Sequence, residues 1–132
     1  MGRIILIIVT ILAVIGGLVW LAVSRQSGAS QPALSFSSIQ EDVAGGAKLY
    51  DVRTAEEFAA GHFAGATHWG LIEMQDGQLP NVPKENKIYL YCRSGNRSSQ
   101  AAAILKEAGY GNVIDLGGLA DVQSIGGKLQ SN

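Results

Sequence analysis

The stretch "KIYLYC", Lys87–Cys92, most constrains what this chain can fold into. A run of strand length with no polar face must be covered on both sides, as a central strand of a parallel sheet is when helices pack on each face. The downstream sequence fits that layering. Ala101, Ile104, Leu105 and Ala108 recur at helical spacing and mark one apolar helix face, which Gly109 would end. "NVIDL", Asn112–Leu116, supplies another strand, and Gly117 and Gly118 turn the chain. Upstream, "AKLYDV" (Ala47–Val52) reads as a strand, and "TAEE" (Thr54–Glu57) as a capping box that opens a helix ended by Gly61. "SIQE" (Ser38–Glu41) matches a second capping box, ahead of a short helix that Gly45 and Gly46 stop. "GHFAGATHWG" reads as a turn into a short strand, and "LIEMQDGQLPNVPKEN", with Pro80 and Pro83, as connection or a marginal helix. The segment after Ala120 is too short and glycine-rich to assign. Strands alternating with helices predict an α/β domain with a mainly parallel central sheet flanked by helices.

Ahead of this pattern lies "IILIIVTILAVIGGLVWLAV", Ile4–Val23, without a single charge. As a helix it would span about 30 Å, the thickness of a bilayer's hydrocarbon core. The expectation is an N-terminal transmembrane helix, with Trp20 suited to an interface. The alternative is a cleaved export signal, for which Arg3 gives a basic start and "SGAS" a cleavage position after Ala29. A buried core helix is disfavoured because no polar face exists, and myristoylation because Leu6 stands where serine or threonine is wanted. The expected organisation is residues 1–25 as anchor or signal, 26–33 as linker and 34–132 as the folded domain. The charges Arg3 and Arg25 orient the segment only loosely; the expectation is a single-pass membrane protein with its domain outside the cytoplasm, or an exported protein after signal cleavage.

The net charge is -1 and all 11 acidic residues come after Gln40; no basic block suggests nucleic acid as a partner. Cys92 is the only cysteine, so no intramolecular disulfide can form and no cysteine pair exists for zinc. Its position is informative. It sits at the carboxyl end of the central strand, just before a helix, where open α/β sheets bind ligands. Loop amides and the first amides of the helix can there converge on an anion. Arg93 and Arg97 favour the thiolate, and the small Ser94 and Gly95 let the backbone curl around whatever the sulfur carries. The structural alternatives are a buried apolar cysteine, an Arg97 paired with a carboxylate, a solvated Arg93 and a Ser98 that caps the helix. Asp51 and Arg53 read as a structural pair, and His62 and His68 as turn or packing residues.

The segments "YDVRTAEEFAAGHFAGATH" and "IYLYCRSGNRSSQAAAILKEAGYGNVIDLGGL" together resemble the single-domain rhodanese-like sulfurtransferases, over about residues 36 to 120. The resemblance implies a small rhodanese fold in which Cys92 carries sulfur as a persulfide. It also implies that the loop Arg93, Ser94, Gly95, Asn96, Arg97 and Ser98 binds substrate and surrounds the outer sulfur. The partners it implies are a small anionic donor such as thiosulfate and an acceptor that is cyanide, a thiol or a thiol protein; no cofactor or metal is required. Cysteine-dependent phosphatases of similar architecture have one more residue between cysteine and arginine, whereas here the arginine is Arg97 and Ser98 holds the phosphatase position. The shorter loop suits a single sulfur atom. The family's frequent tryptophan after the final glycine pair is missing from "GGLADVQSIGGKLQSN". This ending and the membrane-directed start resemble small exported rhodaneses facing the periplasm. The alternative function is a non-catalytic, membrane-tethered binding or sulfur-sensing module.

Overall fold

The computed structural model describes residues 33–131. The transmembrane helix expected over residues 4–23 lies outside the described residues, as does all of the expected linker except Ala33. Among the described residues no helix is long and apolar enough to cross a membrane.

In chain order the elements are α1 (Phe36–Ala44), β1 (Lys48–Asp51), α2 (Ala55–Ala60), β2 (His62–Phe63), β3 (Ala66–His68), α3 (Leu71–Gln75), β4 (Ile88–Tyr91), α4 (Asn96–Glu107), β5 (Val113–Asp115), α5 (Leu119–Ser124) and β6 (Leu129–Gln130). Four strands form a parallel sheet in the order β3-β1-β4-β5. The pairs Asp51↔Tyr91 and Asp51↔His68 align the carboxyl ends of β1, β4 and β3.

Strand β4 is buried at every position, which its uninterrupted apolar sequence required. Its side chains alternate between two cores. Ile88, Leu90 and Cys92 join Leu71 and Met74 of α3 and Ala101, Ala102 and Leu105 of α4. Tyr89 and Tyr91 face Phe36 and Ile39 of α1, Phe63, and Val122 of α5. Among the described residues no buried side-chain nitrogen or oxygen lacks a hydrogen-bond partner: the Tyr89 hydroxyl donates to Asp42 Oδ2 at 2.5 Å, and Tyr110 donates to the Pro80 carbonyl.

Two sequence expectations need amendment. The N-cap of α1 is Ser35, not Ser38: the Ser35 hydroxyl accepts from the Ser38 amide, and Ser38 takes the reciprocal role in the box. Burial of Phe36 and Ile39 on one face forces the helix to start that early. The unassigned C-terminal segment forms α5 and then β6, which pairs antiparallel with β2 through His62↔Gln130 and Phe63↔Leu129.

Candidate active site

Cys92 comes directly after the last residue of β4, and its amide donates to the Gly117 carbonyl at 3.0 Å. Its side chain is 0 % exposed. The chain then turns through Arg93 and Ser94 to Gly95, the N-cap of α4, whose φ of 95° is a left-handed conformation that a side chain would strain. No side chain caps this helix. Its amides turn instead to the sulfur: Gly95 N donates to Cys92 Sγ at 3.0 Å. Burial works against ionising Cys92, but the Ser98 hydroxyl and the amides of Ser98, Ser94 and Gly95 outweigh it and hold the thiol below its ordinary pKa.

The other loop residues divide into two groups. Ser98 is fully buried, and its hydroxyl, with one proton to donate, lies within hydrogen-bond reach of the carbonyls of Gly95 (3.0 Å) and Gly117 (3.3 Å) as well as of the Cys92 sulfur, so it ties the loop together. Arg97 binds Glu57 of α2 through two hydrogen bonds of 2.6 and 2.9 Å. That contact holds the Glu57 carboxyl down at about 2, from 4.5. Arg93 and Asn96 are exposed; Asn96 accepts from Gln100 Nε2 at 2.7 Å, and Arg93 has no ion pair among the described residues.

The neighbouring strand end is closed. Asp51 (0 % exposed) and Arg53 (6 %) form a buried pair at 2.6 Å, and Arg53 also donates to the Gly61 carbonyl. This is the structural pair that the sequence suggested. His62 Nδ1 meets the Phe58 carbonyl while its ring stacks on Phe58, and His68 Nε2 meets the Arg53 carbonyl, so both are packing residues. A cleft of about 330 Å³ opens between Arg53, Glu56, Leu71, Ile72 and Arg97. Among the described residues no cluster of histidine, cysteine or acidic side chains is placed to hold a metal ion.

Sequence reasoning saw Glu57 only as a capping residue and missed its second role as the anchor of Arg97. Nothing local could reveal a partner 40 residues away. It also read Gly117 and Gly118 as a plain turn, whereas they close over the cysteine loop.

Residues 36–124 match the family model for the rhodanese-like domain. The chain belongs to the rhodanese-like family. This rhodanese-like chain is 38% identical over 73 residues to the thiosulfate sulfurtransferase PspE of Escherichia coli, an alignment covering 54% of this chain and 70% of that protein. It is 39% identical over 70 residues to a sulfurtransferase of Allochromatium vinosum, covering 53% of this chain and 64% of that one. The human single-domain sulfurtransferase TSTD1 superposes with a TM-score of 0.58 at 25% identity, over 72% of this chain and 96% of that one. The kinship supports sulfur transfer as the general class of chemistry, and the rhodanese-like domain accounts for the whole parallel sheet and the cysteine loop.

Proposed function

We propose that this protein is a sulfurtransferase that moves a sulfane sulfur from a donor such as thiosulfate to a thiol or cyanide through a Cys92 persulfide. The observation that carries the proposal is the Gly95 amide 3.0 Å from Cys92 Sγ at the mouth of a helix that no side chain caps. An amide cradle of this kind stabilises negative charge on sulfur as an oxyanion hole does on oxygen. In the first step the Cys92 thiolate attacks the outer sulfur of thiosulfate; the sulfur–sulfur bond breaks and sulfite leaves with its electron pair. In the second, an acceptor thiolate or cyanide attacks the outer sulfur of the persulfide, and the pair returns to Cys92 Sγ. The loop residues Ser94, Gly95, Asn96 and Ser98 hold the sulfur through backbone amides. Arg93 and Arg97 attract the dianionic donor, and because Glu57 already offsets Arg97, Arg93 supplies the larger share of the steering charge.

Incubating the full chain with thiosulfate adds one sulfur by intact mass, and Cys92→Ser abolishes the addition. Loading that persists in Cys92→Ser, or its absence from the unmutated chain, overturns the proposal. The proposal extends to location: residues 4–23 anchor the protein in a membrane with the domain outside the cytoplasm, where a thiol protein is the acceptor. The uncharged Ile4–Val23 run supports the anchor. A reporter fused after residue 132 reads the side of the membrane, and N-terminal sequencing separates an anchor from an exported, cleaved form.

A further inference from the structure

The cysteine loop is fastened at both ends to one turn, Gly117–Gly118. The Cys92 amide donates to the Gly117 carbonyl at 3.0 Å, and the Ser98 hydroxyl lies within hydrogen-bond reach of the same oxygen at 3.3 Å. Between those points Ser94 bridges to Gly118, and the Leu119 amide donates to the Arg93 carbonyl at 3.2 Å. The approach is closer than any side chain would permit. A Cβ on Gly118 would lie 2.9 Å from the Arg93 carbonyl oxygen and 3.0 Å from Ser94 Cα, both backbone atoms that cannot swing aside. The turn is itself held by two carboxylates: Asp115 Oδ1 accepts from the Gly117 amide at 2.9 Å, and Asp121 Oδ2 from the Gly118 amide at 2.7 Å. Gly117, at φ 84°, sits in the left-handed region that such a turn needs.

From this we infer that Gly117, Gly118 and their carboxylate anchors Asp115 and Asp121 are positioning residues for the sulfur cradle, fixing the curvature of Arg93–Ser98 so that its amides converge on Cys92. The inference rests on the sulfurtransferase proposal for its purpose, though not for its test. The hydrogen bonds that reach the sulfur come from Ser94, Gly95 and Ser98, not from these four residues. The four act through the backbone of Arg93 and Ser94 and the hydroxyl of Ser98, the groups whose placement decides whether the amides reach Sγ.

The test tracks the ultraviolet absorbance of the thiolate against pH in the full chain, with Cys92→Ser as the blank, because Cys92 is the only cysteine. In Gly118→Ala the loop backbone must move, and the thiol midpoint rises by about one unit, a tenfold loss of thiolate below both midpoints. Gly111→Ala is the control. Like Gly118, which is extended at φ -91°, Gly111 needs no left-handed conformation, and it has nothing within 4 Å of its missing Cβ, so the same substitution is made without the clash and the thiol midpoint stays where it is. A folded Gly118→Ala whose midpoint coincides with that of the unmutated chain overturns the inference. If Gly118→Ala does not fold, Asp121→Ala decides: with the Gly118 amide unanchored the midpoint rises by about half a unit, and an unmoved midpoint is again fatal. The titration uses no sulfur donor, so a failure of sulfur loading leaves this result standing, and an unmoved midpoint leaves the loading result standing.

Discussion

Two turns leave the carboxyl ends of the neighbouring strands β1 and β4, and each opens a helix. After β1, Thr54 caps α2: its hydroxyl accepts from the Glu57 amide at 3.2 Å, while Glu57 accepts from the Thr54 amide at 3.0 Å. The arginine of that turn, Arg53, is sealed against Asp51. After β4, a glycine stands at the cap, no side chain fills the helix mouth, and the amides face a thiol. Its arginines are left more open, Arg93 exposed and Arg97 about 30% exposed. The comparison teaches that one architecture can satisfy a helix mouth in two ways: the turn after β1 meets its amides with a hydroxyl and a carboxylate, and the turn after β4 meets them with a thiol.

That contrast can be broken in graded ways. The largest effect is expected from Arg53→Ala, which strands the Asp51 carboxylate in the interior and lowers unfolding free energy by about 3–5 kcal/mol in urea denaturation. Next, Thr54→Ala removes the cap of α2 and costs about 1 kcal/mol by the same measurement, with the Cys92 thiolate titration unchanged. A Thr54 variant that shifts the thiol as strongly as Gly118→Ala would erase the distinction between the two turns. The smallest change is expected from Glu57→Gln, which preserves the capping box but weakens the link to Arg97, by about 0.5–1 kcal/mol at neutral pH. Its signature is the pH profile. With the Glu57 carboxyl at about 2 in the fold and 4.5 when unperturbed, the contribution is fully present above 4.5 and is lost as pH falls toward 2. Glu57→Gln should flatten that limb of stability against pH; an unchanged slope would show that the ion pair contributes nothing.

How legible each element was in the sequence depends on how local its signal is. β4 and the apolar face of α4 were legible because burial on both sides, and a helical stripe, leave continuous patterns. The Thr54 box was legible because its two partners lie three residues apart. The box at Ser38 was misplaced because serines stand at 35, 37 and 38, and the local signature cannot see that Phe36 and Ile39 pack into the core. Strand β6 was hidden because its pairing with β2 joins Leu129 to Phe63, and two exposed residues carry no pattern of their own. At the site, Cys92 and its loop announced themselves by composition. The Glu57 anchor and the clamp from Gly117–Gly118 did not, because both are contacts across the fold.

The late position of that clamp also orders events in time. Residues reach the folding chain from the amino end, so Cys92 is synthesised well before the glycines that cover it, and the parallel pairing of β4 with β5 must wait for Val113–Asp115. The complete fastening of the Cys92 loop therefore cannot form before Gly117 and Gly118 have joined the chain, which makes the site one of the last parts of the domain to take shape.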